Sequence, residues 1–233
     1  MRFALAALVS FGLITTISGQ TVPVGSVTGQ PFSADEVTIR IPAPNVRNVL
    51  PMDTTRVYRD SAGRTRVDVS VPTGPAYNPF VSIDDLVAGI HYSLDTKEKV
   101  ARRFFVPGPP RVGTVPGERP SGATPMSSSY CKSGPPCPVT TSESLGTQFI
   151  NGLAADGRRV TTTSPSGGLR GDGWKAVIES WYSPELRMIL LQKESDSMGE
   201  STTRLENINR AEPDPLLFRA PADYTIVDQP ASR

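Results

Sequence analysis

Residues 173–228 constrain the fold more than any other part of the chain. They read GWKAVIESWYSPELRMILLQKESDSMGESTTRLENINRAEPDPLLFRAPADYTIVD. Three extended runs follow one another. Ser183-Pro184-Glu185 turns the chain after the first, and Ser195 to Gly199 after the second. A Pro-rich corner and a last apolar segment close the domain. Extended runs parted by short polar turns predict an antiparallel meander. In WKAVIESWYS, Val177 and Trp181 lie on one face and Ala176, Ile178 and Tyr182 on the other. LRMILLQ is also apolar on both faces. Such strands need cover on both sides, from the domain's own N-terminal segment, an insertion, a partner protein or a lipid.

The earlier part of the chain has the same texture. TTRVYRDSAGRTRVDVSVP predicts a hairpin turning at Asp60-Ser61-Ala62-Gly63, with Val67, Val69 and Val71 alternating against Arg66, Asp68 and Ser70. A short β-prone run, Val37 to Ile41, precedes it. Val81 and Ile83 alternate. So do Ile90, Tyr92 and Leu94, and after a turn at Asp95 to Glu98 the chain returns over Lys99 to Val106. ESLGTQFINGLAADGRRVTTTSP reads as a further hairpin-like pair, with Asp156-Gly157 as one possible turn. The total is roughly eight to ten strands, enough for a curved sheet. No amphipathic helix of any length follows the first residues, and the best short helix candidate is Pro215-Leu216-Leu217-Phe218. The expected class is all-β: a curved antiparallel sheet forming an open half-barrel.

MRFALAALVSFGLITTISGQ has a basic Arg2, an apolar run from Phe3 to Ile17, and small Ser18 and Gly19. That is the pattern of a signal peptide over residues 1–19. The run is shorter than the about 20 apolar residues of a membrane-spanning helix. Residues 20–233 are then expected to be one periplasmic or secreted β domain. A Pro/Gly/Ser-rich stretch at 107–141 interrupts it. Nine prolines between Pro107 and Pro138, with almost no large apolar residues, predict a disordered insertion. Export favours a local disulfide between Cys131 and Cys137, which would stabilise by about 2 kcal/mol in the loop-entropy account. Their spacing is not CxxC, so no metal is expected there. With 24 basic and 23 acidic residues the chain has no electrostatic footprint for nucleic acid.

No residue cluster announces a reaction. His91 is the only histidine, and alternation makes it a surface strand residue. SGGLRGDG lacks the helix and spacing of a phosphate loop. Asp84-Asp85 point to opposite sides of a strand, and Glu212 and Asp214 flank Pro213 in a corner, so turn chemistry accounts for them. No GxSxG elbow occurs. An enzyme is not expected, and neither is a cofactor.

The strand ending in RLENINR, the EPDPLLF corner and RAPADYTIVD together resemble the closing segment of the bacterial lipoprotein-carrier (LolA-like) superfamily. The matching positions are Leu205, Asn207, Ile208, Leu217, Phe218, Pro221 and Ile226. VYRDSAGRTRVDV, GIHYSLDTKEKVARR and ESLGTQFINGLAADGRRVT are also similar to uncharacterised exported bacterial proteins with this half-barrel plan. The resemblance implies an incomplete barrel whose apolar concave face is covered by helices. It departs at TVPVGSVTGQPFSADEV, which cannot form the amphipathic helix that the carriers have there. It implies a non-enzymatic exported module that holds a lipid or lipoprotein acyl chain, or a hydrophobic peptide, on the concave face. Val67, Val69, Ile178, Trp181, Tyr182, Met188 and Leu190 would line that face by shape and apolar contact. The competing expectation is an envelope interaction or sensor scaffold that meets a protein partner through the sheet edge or the Pro-rich stretch.

Overall fold

The computed structural model describes residues 28–47, 52–70, 80–85, 87–105, 138–164 and 173–230. The expected signal peptide, Cys131, Cys137, nearly all of the Pro-rich stretch and the glycine loop lie outside the described residues. The rest is one twelve-stranded sheet. Its strands are β1 Phe32–Pro42, β2 Met52–Arg59, β3 Thr65–Ser70, β4 Phe80–Asp85, β5 Ile90–Asp95, β6 Val100–Phe105, β7 Val139–Ile150, β8 Leu153–Ser164, β9 Trp174–Ser183, β10 Met188–Asp196, β11 Gly199–Asn209 and β12 Thr225–Asp228. The order across the sheet is β12-β6-β5-β4-β3-β2-β1-β11-β10-β9-β8-β7. β12 and β7 are edges, so the sheet is open. The all-β expectation holds, with more strands than the sequence predicts.

Two antiparallel meanders, β1 to β6 and β7 to β11, account for this order. They meet where β11 pairs with β1. β1 is therefore the centre of the sheet, much longer than the Val37 to Ile41 run that the sequence shows. β7 starts at Val139, inside the stretch assigned to the insertion. The segment between β6 and β7 joins strands near opposite edges of the sheet.

Turn chemistry fixes most hairpins. Gly63 takes a φ of 85° and its N–H donates to the Asp60 carbonyl at 3.0 Å, as expected for that turn. The β7–β8 turn is not at Asp156-Gly157. It is at Asn151-Gly152, with φ of 49° and 79°, and Ile150 faces Leu153 across it. Positive φ at both central residues is the geometry that Asn-Gly favours in two-residue hairpins. Asp156 and Gly157 lie inside β8.

The closing strand departs from the meander too. β12 does not follow β11 in space but crosses to the far edge and pairs with β6 in parallel. Before it, Pro215–Phe218 forms a single 3-10 turn, where the sequence placed its best helix candidate. The Asp214 side chain accepts from the Leu216 N–H at 2.9 Å, and Pro215 occupies a position whose N–H would have no partner.

The sheet carries a core on each face. Ala34 faces Val57, Val57 faces Val67, and Val67 faces Ser82, so these four share one face. On that face Phe32, Ala34 and Val57 join Leu205, Met188 and Leu190 in the larger buried cluster. Val81 and Ile83, the neighbours of Ser82, point the other way. With Leu94 and Ala101 they form a second cluster on the reverse face. Phe218, Leu217, Ala220 and Tyr224, all from the C-terminal segment, pack over that second cluster. Burying each such aliphatic side chain stabilises by roughly 1.5–3 kcal/mol.

Candidate functional site

The larger cluster lies where β8, β9 and β10 meet β1 and β2. Met188 faces Ser183, which shares a side of β9 with Trp181, and Leu190 is two residues on, so alternation along β10 puts Met188 and Leu190 in one core with Trp181. After Ile189 the register shifts by one residue, so that Leu191 rather than Leu190 is paired with Trp181. Leu186 folds back into the same core from the turn between β9 and β10, where its N–H donates to the Ser183 hydroxyl at 3.3 Å.

Of the seven residues assigned to an apolar binding face, Trp181, Met188 and Leu190 are buried together, and Val67 packs against them. Val69, one pleat along β3, is half-buried. Ile178 and Tyr182 alternate with Trp181 and so lie on the opposite side of β9. Ile178 is 41% exposed and Tyr182 half-buried. The structure thus splits the seven between the two sides of the sheet.

Trp181 also explains Gly157. A Cβ at position 157 would sit 2.8 Å from the indole Nε1 and 2.9 Å from the Leu145 Cβ. The glycine is in β8 because the ring passes over it, not because the chain turns. Gly157→Ala is expected to displace Trp181, shift its emission and destabilise by about 1–3 kcal/mol, the usual range for overpacking. A fluorescence spectrum and a urea melt of the variant check both effects.

Two buried charges border this cluster, and sequence reasoning missed both. Arg59, at the end of β2, is 0% exposed. Its Nε donates to the Gln30 carbonyl at 3.0 Å and its Nη2 to the Leu186 carbonyl at 2.5 Å. Its guanidinium lies 4.8 Å over the Phe32 ring. Its Nη1 has no hydrogen-bond partner among the described residues. Burial, then the nearby positive charge of Arg187, pushes its pKa down to about 10, while Tyr182 works weakly the other way. The available signal was alternation: Arg59 stands two residues after Val57, on the apolar face of β2.

Glu36 is the second. It sits on β1 between Thr55 and Leu205 and is 6% exposed. Burial, with a smaller push from the Asp53 carboxylate, raises its pKa to about 7. Asp53 is itself paired with Arg40 at 2.9 Å.

The other titratable groups do structural work. His91 is half-buried rather than simply on the surface. Its Nδ1 lies 2.7 Å from Asp84 Oδ1, its ring is 5.5 Å from that of Phe104, and the hydrogen bond to Asp84 raises its pKa. Asp85 accepts from the Ala88 N–H at 2.9 Å in the β4–β5 turn, whereas Asp84 meets His91 across the two strands. Glu212 accepts from Ser61 N–H and hydroxyl at 3.0 and 3.1 Å. Among the described residues, no three His, Cys, Asp or Glu side chains are grouped to hold a metal ion, and no helix is long and apolar enough to cross a membrane.

No protein-family model matches the chain, and no curated protein matches it. Among solved structures it is similar to lipoprotein LppX of Mycobacterium tuberculosis, at 8% identity and a TM-score of 0.31 over 78% of this chain and 88% of that one. LprF of Mycobacterium bovis is similar at 15% identity and 0.33, over 80% and 90%. A LolA superfamily protein of Nitrosomonas europaea is similar at 9% and 0.32, over 82% and 90%. The likeness is one of sheet outline, and at this distance nothing about ligand or role passes from those proteins to this chain.

Proposed function

We propose that the chain is an exported, non-enzymatic binding module of the cell envelope or the medium outside it. It holds a lipid acyl chain or a hydrophobic peptide against the cluster around Trp181, Met188 and Leu190. One observation carries this reading. Leu186, in the short turn between β9 and β10, is a buried member of that cluster. A turn moves more readily than a packed layer of helix or sheet. Lifting it exposes Met188 and Trp181, a flexible thioether and a broad apolar ring, which suit chains of variable shape.

Native mass spectrometry of the protein purified from an exported fraction, beside a denatured sample, tests the proposal. The expected result is a non-covalent mass in the lipid range that denaturation removes, and a change in tryptophan emission when lipid is added to delipidated protein. A clean mass with no uptake of added lipid overturns it.

A second reading, a scaffold for a protein partner, is favoured by a different observation. Among the described residues β7 pairs on one side only, with β8, and its side chains are almost all exposed, Phe149 at 79%. An unpaired edge of that length is a template for an added strand. On this reading Phe149→Lys abolishes co-purification of a partner from envelope extract and leaves the melting temperature unchanged.

A further inference from the structure

We propose that Arg59 and Arg187 form the anion-binding end of the apolar site, and that its ligand is a single-chain amphiphile with a carboxylate headgroup. The inference rests on the binding-module reading and narrows its ligand.

A guanidinium withdrawn from water is ordinarily paired with a carboxylate or fully hydrogen-bonded. Arg59 is neither. No acidic side chain lies within ion-pair distance of it among the described residues, two carbonyls take its Nε and Nη2, and Nη1 is left without a partner. A second cation adds to this. Arg187 directly follows Leu186, whose carbonyl accepts from Arg59 Nη2, so an exposed cation stands beside the buried one and disfavours its charge. Two neighbouring cations repel each other, and a bound anion would offset that repulsion.

The surroundings select the rest of the ligand. Arg59 stacks on Phe32 and bonds to Leu186, and both belong to the cluster that contains Trp181, Met188 and Leu190. Charge at one edge and apolar side chains beyond it make a head-and-tail site. A carboxylate matches the fork of a guanidinium with two parallel hydrogen bonds and brings the one negative charge that Arg59 lacks. The bond from Nη2 to the Leu186 carbonyl ties the arginine to the turn, so lifting the turn opens headgroup and tail positions together.

Palmitate and cetyl alcohol share a chain and differ in headgroup charge, so titrating the delipidated full chain with each is the test. Palmitate is expected to bind about ten- to a hundredfold tighter than cetyl alcohol, the usual margin of a charge-assisted hydrogen bond. Arg187→Gln, an exposed change that leaves the core intact, is expected to weaken palmitate about tenfold and leave cetyl alcohol as it was. Arg59→Met should do the same more strongly wherever it folds. Equal affinity for the two ligands, or no effect of Arg187→Gln on palmitate, overturns the anion site and leaves the binding module standing. Failure of both ligands to bind overturns both.

Discussion

Glu36→Gln gains on the order of 3 kcal/mol of stability near about pH 8 and nothing near about pH 4. The cause is the burial of a carboxyl at the centre of the sheet. In the unfolded chain Glu36 has an ordinary value of 4.5, and in the folded chain burial first, then Asp53, raises it to about 7. Between those two values the folded state holds a proton that the unfolded state has shed, so stability falls as pH rises through the window and levels off above it. Each pKa unit corresponds to about 1.4 kcal/mol, which sets the size of the effect. Gln is close in shape to the protonated acid and cannot ionise, so the variant escapes the loss at high pH and matches the parent at low pH. The Arg40–Asp53 pair lies beside it, with side chains 25% and 30% exposed, and should change little in comparison. Urea unfolding of both proteins across the range measures this. A gain of the same size at both ends would mean that desolvation of the charge is not its source.

Much of the sheet is legible in the sequence because strands buried on one face must alternate. Val67 against Arg66, and Leu94 against Ser93, declare their faces locally, and Gly63 declares a turn. What escapes is set by partners far along the chain. β1 looks like a short run because only its neighbours β2 and β11, one of them over a hundred residues away, make it a central strand. β12 looks like the end of a meander, and its parallel place beside β6 depends on a crossover that no local pattern encodes. Asp156-Gly157 and Asn151-Gly152 are both good turn pairs, and nothing local separates them: the second turns, while Gly157 lies within β8 beneath Trp181. The candidate site shows the same limit. Trp181 stands out as a large apolar residue in a strong strand, but the register shift that pairs Leu191 rather than Leu190 with it leaves no mark in composition. Ile178 and Tyr182 read equally well, and simple alternation places them on the other side. Arg59 is overlooked for the opposite reason, since an arginine is taken to face water even where alternation after Val57 puts it on the apolar side.

The C-terminal segment supplies the other large effect. Phe218→Ala is expected to destabilise by about 3–5 kcal/mol, the range for emptying a fully buried aromatic site. Phe218 is 1% exposed and packs with Val81, Ile83, Leu94 and Ala101. Arg64 lies 5.2 Å over its ring, and Arg66 Nη1 donates to the Leu217 carbonyl at 3.0 Å. The ring is therefore the peg by which 215–224 covers the reverse face of the sheet. β12 depends on that peg. All four of its side chains are exposed, and it holds to β6 by backbone bonds flanked by Thr225 N–H to the Lys99 carbonyl at 2.9 Å and Gln229 N–H to the Arg103 carbonyl at 2.8 Å. The Arg103–Asp228 pair adds little at so exposed a position. A strand with no buried side chain has no hydrophobic reason to stay at an edge, so its position must come from what precedes it. Hydrogen exchange separates the cases. In Phe218→Ala the amides of Thr225 and Gln229 should exchange freely while those of β1, β2 and β11 remain protected. Arg103→Ala should leave protection and stability nearly unchanged. If β12 stays protected without Phe218, its pairing with β6 is sufficient by itself, and the aromatic ring covers the core without anchoring the strand.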